Sequence, residues 1–220
     1  MLVRIRVIVP DRPGSLGVVT SALGRAGADV KKVDVLETET GRATDDISIE
    51  VRDSAHLERV RQSLGGLPGV DVEGALVPGP PVAGHAELEL VRAALGDPRR
   101  CVQTLADGAP TAVGASWAAV LEFDKTGAVL SVVAASMGYP GAGVAPVTAP
   151  LRLGTIRLLD AVTALPYGGA ALVPLTGTNL GLVLGRPDGP GFHRSELWRL
   201  AEIGRIIGAV VPVTASSVSF

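Results

Sequence analysis

Val3, Ile5, Val7 and Val9 alternate with Arg4 and Arg6 at the start of this 220-residue chain, a period of two that only a half-buried strand satisfies. Pro10-Asp11-Arg12-Pro13-Gly14 then stops the strand and turns the chain. From Ser15 the period lengthens, with Leu16, Val19, Leu23 and Ala26 on one face of a helix ending at Gly27. Val30 to Glu39 reads as a second strand and Thr40-Gly41-Arg42 as a hairpin turn. Ile47, Ile49 and Val51 mark a third strand, with Asp45 and Asp46 in a solvated turn ahead of it. A second helix runs from Ser54, its N-cap, to Leu64 on the stripe Leu57, Val60 and Leu64, and Gly65 to Gly69 end it. Val70 and Val72 open a fourth strand. Right-handed crossovers in the order β, α, β, β, α, β place both helices on one face of a four-stranded antiparallel sheet. Residues 1–76 are therefore expected to form a ferredoxin-like βαββαβ domain.

Pro78-Gly79-Pro80-Pro81 joins neither kind of regular element, so residues 77–84 read as a short, stiff linker. Beyond it, Leu88 to Leu95 and a short stretch holding Val102 and Leu105 have helical spacing. Trp117 to Phe123 and Ala128 to Ala135 are strands joined by the turn Asp124-Lys125-Thr126-Gly127. Gly138 to Gly143 form a glycine-rich loop, and Leu151 to Val162 a helix. Ala170 to Pro174 and Leu180 to Gly185 are strands around Thr176 to Asn179, and His193 to Gly208 is a closing amphipathic helix. The expectation is an α+β fold throughout, with an antiparallel-sheet domain over 85–213 and a tail over 214–220. Trp117 and Trp198 are expected in the core or at a domain contact.

Charge and composition exclude several classes. Lys and Arg number 20 against 22 Asp and Glu, and neither half has the basic excess of a nucleic-acid binder. Aromatic residues make up 3%, too few for a base-stacking surface. No apolar run reaches the roughly 18 residues of a membrane span. The start lacks a signal peptide's apolar core, so a cytoplasmic location is the default. Cys101 is the only cysteine and the three histidines, His56, His85 and His193, are scattered, so neither a disulfide nor a metal site is expected. No GxSxG, HExxH, Walker or Rossmann pattern occurs, and the chain reads as no enzyme, with no cofactor.

The segment with plausible site chemistry is Asp11-Arg12-Pro13-Gly14-Ser15-Leu16. A helix start offers unpaired N–H groups and a positive potential to a ligand carboxylate. Gly14 permits close approach of the backbone, Pro13 holds the loop in one conformation, and Asp11 is placed to receive an α-amino group. The same residues also suit a plain strand-to-helix turn in which Asp11 or Ser15 is only the N-cap.

VIVPDRPGSL at Val7 to Leu16, with the helix, Gly27-Ala28-Asp29-Val30 and the strand pair after it, resembles an ACT domain over residues 1 to about 76. That resemblance implies a site at a homodimer interface, usually for an amino acid, formed by the turn Asp11 to Leu16 and by the neighbour's Ala28, Asp29 and Val30. WAAVLEFDKTGAVLSVVAAS at Trp117 to Ser136, the hairpin Ala170 to Arg186 and FHRSELWRLAEIGRIIGAVV at Phe192 to Val211 resemble a GAF domain, with a pocket wall over about Met137 to Asp160. The NKxxE-type features of cyclic-nucleotide binders are missing. The two resemblances imply a regulatory protein sensing an amino acid or related metabolite; the alternative is a dimerisation or interaction module without a ligand.

Overall fold

The computed structural model describes residues 1–39, 41–77, 85–124, 126–141, 157–159 and 169–211. The expected linker and tail therefore fall largely or wholly outside the described residues. The chain divides into two compact units, with the main boundary between Gly79 and Pro80.

In the first unit the order is β1 (Leu2–Pro10), α1 (Ser15–Arg25), β2 (Asp29–Glu39), β3 (Arg42–Glu50), α2 (Ser54–Gly65) and β4 (Asp71–Leu76). The strands form one antiparallel sheet in the order β2-β3-β1-β4, so β2 and β4 are its edges. Alternation sets the layers. Val3, Ile5, Val7 and Val9 of β1 join Ile47 and Ile49 of β3 beneath Val19, Leu23, Val60 and Leu64 of the two helices. Gly41 takes φ 76° between β2 and β3, as a tight hairpin requires. Asp53, not Ser54, is the N-cap of α2: its carboxylate accepts the His56 N–H at 2.7 Å. An aspartate one residue earlier offers a stronger acceptor than the serine hydroxyl.

Asp45 and Asp46 do not sit in a solvated turn. The strand starts at Arg42, and both aspartates are buried within it. Cross-strand pairing extends the ladder past the apolar residues that mark it in sequence: Thr44 lies opposite Ile8, and Asp46 opposite Arg6. Arg6 and Asp46 form a two-pronged ion pair, with Nε to Oδ1 at 2.7 Å and the second nitrogen to Oδ2 at 2.9 Å.

The second unit runs α3 (Ala86–Gly96), α4 (Cys101–Val113), β5 (Trp117–Phe123), β6 (Val129–Ala135), β7 (Arg157–Leu159), β8 (Gly169–Pro174), β9 (Leu180–Arg186) and α5 (Arg194–Gly208). Its five-stranded antiparallel sheet has the order β6-β5-β9-β8-β7. α4 and α5 pack on one face, over Ala118, Val120, Ala134, Val173, Leu182 and Leu184, and α3 packs on these two helices. Trp117, Leu121, Phe123 and Leu172 point to the other. The absence of a side chain at Gly185 is needed there, because a Cβ would fall on the Trp117 ring.

Two sequence expectations change in this unit. The helix predicted for 151–162 is strand over Arg157–Leu159, paired with β8; the remainder of that segment lies outside the described residues. A short apolar run fits either period, and here hydrogen bonding to β8 decides. Trp198 is no core residue: it is 62% exposed on α5, with the Arg194 guanidinium 5.7 Å from its ring centre. Trp117 is core, edge-on to Tyr139 at 5.5 Å.

A buried hub closes this unit. Arg186, wholly buried, donates to Val113 O at 2.7 Å, Gly114 O at 2.9 Å and Glu196 Oε1 at 2.9 Å, and its guanidinium lies 4.1 Å from the Phe192 ring centre. Glu196 also accepts the His193 N–H at 2.8 Å while His193 caps the helix. One arginine thus ties the end of β9 to the end of α4 and the start of α5.

Candidate functional site

The turn after β1 is built by its own backbone. The Asp11 N–H donates to Gly41 O at 2.8 Å, the Arg12 N–H to Pro10 O at 2.9 Å and the Ser15 N–H to Arg12 O at 3.2 Å. Gly14 is the N-cap of α1 at φ 93°, a left-handed conformation that side chains resist. No side chain caps the helix, so neither Asp11 nor Ser15 is the N-cap that the plain-turn reading requires. The first turn of α1 holds no acidic residue, and although the Ser15 N–H is taken by Arg12 O, no side chain offers an acceptor to the N–H groups at this positive helix end.

A hollow of about 370 Å³ lies against this turn, lined by Pro10, Arg12, Pro13, Gly14 and Ser15 and by Pro68 from the loop after α2. Asp11 and Leu16 do not line it; Leu16 packs against the core instead. Ala28, Asp29 and Val30 lie past the far end of α1, roughly 16 Å away by the rise of an 11-residue helix. There Lys31 Nζ holds Asp29 at 2.5 Å and Glu50 at 3.0 Å, and those two carboxylates raise the Lys31 pKa, Asp29 first. A single chain therefore brings Arg12 to Ser15 together and leaves Ala28 to Val30 apart from them.

The remaining reactive side chains serve the fold. His56 Nδ1 accepts the Arg52 N–H at 3.1 Å while Nε2 lies 2.8 Å from Ala26 O, which joins α2 to the end of α1. Cys101 is buried, and desolvation pushes its thiol pKa up, away from nucleophilic use. Among the described residues no group of three or more His, Cys, Asp or Glu is arranged to hold a metal. No described helix is long and apolar enough to cross a membrane.

Sequence reasoning missed Asp45. Its carboxylate is 3% exposed on the helix-covered side of the sheet, and Oδ1 has no hydrogen-bond partner. Desolvation, then the neighbouring Asp46 charge, raises its pKa. The signal was its parity: Asp45 is in phase with Ile47 and Ile49.

Residues 1–72 match the family model of the ACT domain, which places an ACT domain at the N-terminal part of the chain. Three solved structures are similar over parts of the chain. The ACT domain of GTP pyrophosphokinase from Chlorobium tepidum is 20% identical, over 32% of this chain and 91% of that one, with a TM-score of 0.29. The regulatory subunit of aspartate kinase from Thermus thermophilus is 13% identical, over 96% and 89%, with a TM-score of 0.28. The second unit is similar to the GAF domain of an Acinetobacter phosphoenolpyruvate-protein phosphotransferase, at 12% identity over 57% of this chain and 90% of that one, with a TM-score of 0.43. No curated protein sequence matches the chain.

Proposed function

We propose that the protein is a homodimeric regulator whose ACT unit, residues 1–76, binds an amino acid or related metabolite between two protomers and passes occupancy to the GAF-like unit, residues 85–213. The observation that carries this reading is the start of α1 at Gly14, set beside a hollow and without a side-chain acceptor for its N–H groups.

The register of the sheet supports a role for the distant Ala28, Asp29 and Val30. Pro10 and Glu39 both lie opposite Arg42, so the end of β2 shares the β1–α1 turn's end of the sheet. Leu2 and Asp29 both lie opposite Glu50, so the start of β2 is at the other end. Two-fold antiparallel pairing of the edge strand β2 with its copy carries the partner subunit's Asp29 across to the turn end of the first protomer. In this arrangement the α1 N-terminus and Ser15 receive the ligand carboxylate, with Asp11 or the partner subunit's Asp29 near the amino group. A ligand shared this way favours one dimer arrangement and shifts the balance between arrangements.

The test is thermal unfolding of protein verified as dimeric against each of the twenty amino acids. At least one is expected to raise the midpoint, because a ligand bound only by the folded form stabilises it. Gly14→Val should abolish the response to at least one amino acid and leave the dimer. Asp11→Ala should weaken an amino acid more than its des-amino analogue. Indifference to all twenty, or a Gly14→Val variant that keeps the full response to every one of them, overturns the proposal.

A further inference from the structure

A second cavity, of about 590 Å³, opens on the helix-bearing face of the five-stranded sheet, away from Trp117 and Tyr139. Its walls come from the first turn of α4, from β5 and β6, and from the turn between β8 and β9. The volume lies within the range of small-molecule sites. Glu122 belongs to this face because it is in phase with Ala118 and Val120 on β5. It is half-buried and held still, accepting Ser131 Oγ at 2.9 Å and Asn179 Nδ2 at 2.9 Å. A carboxylate has about four acceptor positions, so two remain for a ligand. Arg99, ahead of α4, lines the same cavity and makes no side-chain hydrogen bond or ion pair among the described residues. Between these charges Val102, Val133 and Leu180 give an apolar stretch, beside the polar Gln103, Thr178 and Asn179.

We propose that this cavity is a second effector site, for the zwitterion of an apolar α-amino acid. Its carboxylate pairs with Arg99, its ammonium with Glu122, and its side chain packs on Val102, Val133 and Leu180. The charge pattern selects this class. A polyanion meets the fixed Glu122 carboxylate, an amine alone leaves Arg99 unmatched, and a hydrocarbon covers both charges without pairing either. The site does not depend on the β1–α1 turn or on dimer formation.

The test is titration of the full-length protein by calorimetry and thermal unfolding with valine, leucine, isoleucine, methionine and phenylalanine, alongside N-acetyl-leucine and leucinamide. Binding of at least one free amino acid is expected, with neither leucine derivative matching leucine. Arg99→Ala and Glu122→Gln should each weaken binding at least about tenfold, as loss of a charge-assisted hydrogen bond does. Gly14→Val should leave this binding in place. No binding, binding indifferent to Arg99→Ala, or equal binding of N-acetyl-leucine overturns the proposal. A response lost in Gly14→Val but kept in Arg99→Ala assigns it to the turn and overturns this site alone. Should Glu122→Gln fail to fold, the exposed Arg99→Ala and the two leucine derivatives decide.

Discussion

Replacing Glu196 by alanine tests the hub at the end of β9. The change takes the Glu196 carboxylate away from the fully buried Arg186 guanidinium. Breaking a buried pair from one side costs about 3–5 kcal/mol. The same substitution removes the bond from the His193 N–H to Glu196 and with it the capping box of α5, which adds about 1 kcal/mol. The sum is roughly 4–6 kcal/mol. At about 2–4 °C per kcal/mol for a chain of this size, the midpoint should fall by on the order of 10–20 °C. Glu196→Gln separates the causes: it removes the negative charge but keeps one acceptor oxygen, for either Arg186 or the His193 N–H, at a cost of about 2 kcal/mol. Urea unfolding followed by tryptophan fluorescence is the assay of choice, because both tryptophans, Trp117 and Trp198, report on the second unit alone. An unchanged denaturant slope with a lowered midpoint will mark a true loss of stability. Equal losses in the two variants, or an alanine loss below about 1 kcal/mol, would refute the reasoning that an uncompensated charge dominates.

Two further predictions concern packing. The raised pKa of Asp45 means that the folded chain holds this proton more tightly than the unfolded one. Its stabilising contribution is therefore complete below the ordinary value of 3.8 and lost as pH rises through the folded pKa. Asp45→Asn should accordingly raise the unfolding midpoint near neutral pH, with the gain disappearing in acid; a pH-independent difference contradicts the assignment. Gly185→Ala puts a methyl group on the Trp117 ring and should cost about 1–3 kcal/mol by overpacking, with a change in tryptophan emission. Wild-type stability and emission would show that the ring is free to move aside.

Much of the architecture was legible because backbone geometry imposes its period locally. The alternation at Val3 to Val9 and the helical stripe from Leu16 to Ala26 needed no knowledge of distant residues, and the segments read as turns at Gly41, Gly127 and Gly177 have glycines at positive φ. The candidate turn was legible as a turn. That Gly14 rather than Asp11 or Ser15 caps α1, leaving the helix start without a side-chain acceptor, was not, since all three residues suit the position.

Charge was where local reading ended. Arg6 reads as a solvent-facing residue beside Ile5 and Val7, yet it is 1% exposed, because strand register sets it opposite Asp46, forty residues on. Asp45, one residue away, faces the other side of the sheet without a partner. Arg99 and Glu122 share a cavity only because the five-stranded sheet brings β5 beside the start of α4. The sequence by itself determined the strands and helices of the first unit and the order in which they wind. Tertiary structure alone decided which charges are buried, paired or left for a ligand, because desolvation and Coulomb attraction act between residues that only long-range pairing brings together.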